Sequence, residues 1–171
     1  GHLDDVDFYT TPTGGATVQQ LRDVGSSAAT LVLGHSLTGA AAILTERFGT
    51  PAISFDQLTG LVAVDEFLQT LSQLSGQPVP AKYLRQRRRV LDAMLDTHFY
   101  FGQKRVAIAL EPDLLYNMAW WIHSTGAHVQ AAVTSTKSPL LKHLPVDQAY
   151  IGDLEDFEEL AAEADLLITE F

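Results

Sequence analysis

The 171-residue chain contains no cysteine. Disulfides, thiolate metal sites, cysteine nucleophiles and cysteine-ligated iron–sulfur clusters are therefore excluded within it. Basic residues are scarce: 11 Lys and Arg stand against 21 Asp and Glu, giving a formal charge of −10. Nucleic-acid binding needs concentrated cations that displace counterions from phosphates, so this balance argues against DNA or RNA as a partner. Long hydrophobic runs are missing too. Stretches such as Ala28–Gly34 and Val106–Leu110 fall far short of the roughly 20 apolar residues that cross a bilayer. The acidic Leu3–Asp7 is unlike the basic start of a secretory leader. The expected location is the cytoplasm, with no membrane partner.

What is present supports a folded core, since 46% of the residues are hydrophobic in a chain long enough for one domain or two small ones. Gly14–Gly15 breaks the opening segment, and Thr17 is placed to cap a helix through Val24. Ala28–Leu33 is a continuous aliphatic and β-branched run that predicts a strand buried on both faces. Gly34–Ser36 turns the chain into a helix over Leu37–Phe48, which Gly49 and Pro51 terminate. A second strand is expected at Ala52–Phe55, then a helix from Thr59 to Leu74 striped by Leu61, Val64, Phe67, Leu68, Leu71 and Leu74. Gly76, Pro78 and Pro80 mark a linker.

Ala81 to Phe101 reads as a long helix with Leu84, Leu91, Met94, Leu95, His98 and Phe99 on one apolar face and Arg85, Arg87, Arg88 and Arg89 crowding its start. A second series follows. Arg105–Leu110 is a strand, Glu111–Pro112–Asp113 a turn, and the next helix sets Leu115, Met118, Ala119 and Ile122 on one side, with Pro112 suited to its first turn. Gly126 closes it. Strands are then expected at Val129–Val133, Ala149–Ile151 and Leu166–Ile168, the last two around an acidic helix Leu154–Ala164. Strand–helix alternation predicts parallel sheets covered by helices, an α/β protein.

No motif for a known chemistry stands out. The histidines at 2, 35, 98, 123, 128 and 143 show neither i, i+4 pairs nor an HExxH setting, so structural roles are the simpler reading and no metal site is expected. His98, on the apolar face of the long helix, should be partly buried and hydrogen-bonded locally. Three strand ends are the candidate ligand positions, because open α/β sheets bind ligands there. Ser36 follows the first strand, Glu111 and Asp113 follow the third, and Thr134 opens a Ser/Thr-rich loop to Ser138. Each has an ordinary alternative. GxGxxG and GxxxxGK[ST] are both absent, carboxylates stabilise a helix start without any ligand, and Ser and Thr are common in loops. The arginines could meet an acidic partner or simply form a solvated, internally paired face.

The wording of the chain is more specific than its spacing. VDEFL at Val64–Leu68, SGQPVP at Ser75–Pro80, the R-x-R-x-x-D-x-x-x-D-x-H pattern from Arg87 to His98, GQKR at Gly102–Arg105 and the Pro112–Asp113 turn together resemble the nitrogenase component 1 family. Gly14–Thr17 is similar to that family's GGTT turn. Within it, Leu91–Leu115 and Tyr150–Leu160 most resemble the β-like scaffold subunits on which iron–molybdenum cofactor matures.

The resemblance implies parts of two Rossmann-like parallel-sheet domains joined by a long helix: residues 1–76 in a middle α/β domain, 77–102 the linker and helix, and 103–171 the first part of the next domain. It implies a parent subunit that carries an iron–sulfur cluster and cofactor precursor, pairs with an α-type subunit in an α2β2-type assembly, and receives cargo and electrons from delivery and reductase proteins. Cluster-binding cysteines of such subunits lie in an N-terminal domain, so no cofactor is expected on this stretch, which would itself be non-catalytic. The chain reads as an excised fragment, with Gly1–His2 a tag remnant and Glu170–Phe171 encoded by a cloning site. Two alternatives stay open: a fragment of a nitrogenase β-subunit or related reductase, and an independent α/β domain for a small ligand.

Overall fold

A computed structural model describes residues 15–170. Gly1–His2, Leu3–Asp7, Gly14 of the expected glycine break, and Phe171 lie outside the described residues. Packing separates a smaller unit, which reaches Val32 and includes Leu37–Ile53, from a larger one formed by Leu33–Ser36 and Ser54 onward.

In the smaller unit the first helix, α1 (Val18–Arg22), starts as expected. Thr17 Oγ1 accepts from the Gln20 N–H at 3.1 Å, while Gln20 Oε1 accepts from the Thr17 N–H at 2.8 Å. This reciprocal box satisfies two otherwise orphaned amides. A 3-10 turn, Asp23–Ser26, prolongs it. Strands β1 (Thr30–Leu33) and β2 (Ala52–Phe55) pair as a two-stranded sheet, with α2 (Thr38–Phe48) between them in sequence. The expectation that β1 is buried on both faces is corrected: only Val32 is buried, and Leu33 is 45% exposed. A strand with one partner cannot be enclosed as a central strand is.

The larger unit is built on a four-stranded sheet of β3 (Arg105–Ala109), β4 (His128–Thr134), β5 (Val146–Ile151) and β6 (Leu166–Thr169), all parallel, in the order β5-β4-β3-β6. Helix α5 (Pro112–Ser124) lays Leu115, Ala119 and Ile122 on Val106, Ile108, Val129 and Ala132. The opposite face receives Phe157 of α6 (Leu154–Leu160) and Ala161, against Ala107, Ala109, Ala131 and Val133. The small strand side chains on that face leave room for the Phe157 ring. With one helix on each face, the chain winds outward from β3 to β5 and then returns to place β6 on the other side of β3, which is doubly wound topology.

Helices α3 (Leu61–Ser75) and α4 (Ala81–Phe101) precede this sheet. The α4 boundaries match the sequence reading, and its apolar face is left uncovered among the described residues. None of its 21 residues is buried, and Leu95 and Phe99 are 64% and 89% exposed. His98 is likewise exposed, correcting the expectation of partial burial, although its Nδ1 lies 3.3 Å from the Thr125 carbonyl as a local hydrogen bond requires. Helical periodicity identifies an apolar stripe without saying whether its cover belongs to the same chain.

One polar link joins the two helices. Arg87 Nε donates to both Asp65 oxygens at 2.7 and 2.9 Å, and the guanidinium holds the Asp65 carboxyl below the ordinary carboxylate range despite an opposing desolvation effect. A depressed carboxylate adds stability that is present above its unfolded pKa, about 4, and lost as pH falls through the folded value. Both side chains are about 40% exposed, so Asp65→Asn should cost less than about 1 kcal/mol at pH 7. Urea melts should show that difference shrinking toward pH 3.

Candidate functional site

The expected strand-end positions lie along the carboxyl edge of the larger unit. Glu111 is the N-cap of α5: its Oε1 accepts from the Leu114 N–H at 2.8 Å and Oε2 from the Asp113 N–H at 3.2 Å, with Pro112 in the first turn. Its charge is spent on the helix start, where backbone donors and the helix dipole favour it. Asp113 reaches further. Its Oδ2 accepts from the Ser36 N–H at 3.1 Å and from Ser36 Oγ at 2.5 Å. Gly34 makes this approach possible, because it has φ +98° and a Cβ there would sit 2.9 Å from Asp113 Oδ2.

One turn along α5, Asn117 Oδ1 accepts from the Leu58 N–H at 3.1 Å and Thr59 Oγ1 at 3.2 Å, while its Nδ2 donates to the Asp113 carbonyl at 2.7 Å. Asp113 and Asn117 therefore tie two loops to the start of α5. Asn117 was missed from sequence. The usable signal was a polar i, i+4 pair with Asp113 on an otherwise apolar helix.

Ser36 and Glu111 come together on a shallow depression of about 360 Å³, shared with Asp113, Thr136, Lys137 and Ser138. Thr134 is not among its lining residues. Contrary to the expected loop, it is the last residue of β4, paired with Ile151 and 2% exposed, and its carbonyl accepts from the Gly152 N–H at 3.0 Å. The strand runs one residue past its apolar run because Thr134 pairs with Ile151 at the end of β5, which itself begins earlier than expected, at Val146. Thr134 lines a separate cavity of about 500 Å³ with Leu110, Val133, Leu154, Glu155 and Glu170.

Among the described residues no three His, Asp or Glu side chains are grouped to hold a metal. His128 Nε2 instead lies 2.6 Å from Asp147 Oδ2 across the amino ends of β4 and β5, and Arg87 of the basic cluster is committed to Asp65. The Ser36–Asp113 contact is a clasp on a turn, not an activated nucleophile with a base and its orienter. Without cysteine in the chain, the donor set of an iron–sulfur cluster is absent from these residues.

Comparison with known proteins gives similarity along nearly the whole length. The family model described as Nitrogenase component 1 type Oxidoreductase matches residues 4–170. A protein of Nostoc sp. named Nitrogenase iron-molybdenum cofactor biosynthesis protein NifN is 57% identical over 98% of this chain and 38% of its own length. One of the same name from Bradyrhizobium diazoefficiens is 42% identical over 99% of this chain and 36% of its own length. A solved structure described as Nitrogenase Cp1 at pH 6.5 matches with a TM-score of 0.83 at 28% identity, covering 95% of this chain and 39% of that one. The chain thus spans under two fifths of the length of each.

Proposed function

The chain belongs to the nitrogenase component 1 family, and on that footing we propose that it is a segment of a NifN-type subunit, part of the scaffold on which iron–molybdenum cofactor is assembled. The observation that carries this reading is the 57% identity to a NifN over 98% of the chain. The nitrogenase structure matches at 28%. The segment's contribution is architectural. Residues 1–76 belong to a middle α/β domain, 77–102 are the linker and connecting helix, and 103–171 begin the next Rossmann-like domain. The doubly wound order of β5-β4-β3-β6 fits that last assignment.

The parent subunit, on this reading, pairs with a NifE-like α-type subunit in an α2β2-type assembly in the cytoplasm. It receives cofactor precursor from delivery proteins and electrons from a reductase, and holds its cluster with ligands supplied outside residues 1–171. The segment neither catalyses nor ligates the cargo. Among the described residues, no helix is long and apolar enough to cross a membrane.

A segment exchange tests the proposal. Replacing the matching segment of the Nostoc protein with this one should preserve most of the iron–molybdenum cofactor formation, measured as activity of the matured nitrogenase. Loss of cofactor formation in a chimera that accumulates to normal level would reject it.

A further inference from the structure

No further inference is drawn: the strongest candidate, the exposed surface stripe of Leu84, Leu91, Leu95 and Phe99 along α4, carries nothing because nothing in the structure shows what covers it.

Discussion

Leu115→Ala should lower the unfolding free energy of the larger unit by about 3–4 kcal/mol. Leu115 is fully buried, 0% exposed, between α5 and the sheet residues Val106, Ile108, Val129 and Ala132. The nearby Ala119 and Ala132 are too small to move into the space a truncated side chain leaves. The removed methyl groups lose their transfer free energy, and the residual cavity adds its own cost. Against a usual total of 5–15 kcal/mol, that is a large fraction. Leu114 next door is 40% exposed, so Leu114→Ala should cost under about 1 kcal/mol. Both tryptophans of the chain, Trp120 and Trp121, lie on α5, which makes fluorescence-detected urea unfolding a local report on this core. Equal costs for the two variants would mean that α5 does not pack on the sheet as described.

That core was readable from sequence because its signals are local. The apolar spacing of Leu115, Ala119 and Ile122, the Pro112 start and the apolar run of β3 each reflect the period or the end of one element. The Thr17 cap and the Ala81–Phe101 boundaries were legible for the same reason, and so were parallel pairing and α/β class. What a face packs against was not. The run at β1 reads as buried and the stripe on α4 as one apolar face, yet Leu33 is 45% and Leu95 64% exposed. Apolar composition records the demand for cover and carries no address for it. Helix α6 ended at Leu160, earlier than the expected Ala164, and the 3-10 turn Pro139–His143 has no periodic signature to detect.

The strand-end positions were legible as positions only. Rules of α/β topology correctly picked out Ser36, Glu111 and Thr134 as ends of strands, but their chemistry depends on long-range neighbours. Asp113 meets Ser36 across 77 residues, and Asn117 meets Leu58 across 59, separations that no local pattern encodes. Burial changed Thr134 most. As a loop threonine it would be wet, whereas as the last residue of a paired strand it keeps an unsatisfied oxygen. Glu111 moved the other way, from candidate ligand residue to helix cap.

Gly34→Ala should cost about 2–3 kcal/mol, from two separable sources. At φ +98° the backbone is in a region that residues with a Cβ occupy at a cost of about 1–2 kcal/mol. The new Cβ would also lie 2.9 Å from Asp113 Oδ2, closer than carbon and oxygen can rest, so the carboxylate must retreat. Its retreat loosens the hydrogen bonds from Ser36 N–H and Oγ at 3.1 and 2.5 Å. Gly49 supplies the control, because it has φ +69° with nothing within 4 Å of an added Cβ. Gly49→Ala should therefore show the backbone cost alone. A double-mutant cycle separates the steric part: in an Asp113→Ala background, Gly34→Ala should cost about 1 kcal/mol less than in the parent chain. Strict additivity would mean the carboxylate does not crowd Gly34. A neutral Gly34→Ala would mean that the turn does not hold its left-handed conformation, and with it the clasp between Ser36 and the start of α5 would fall.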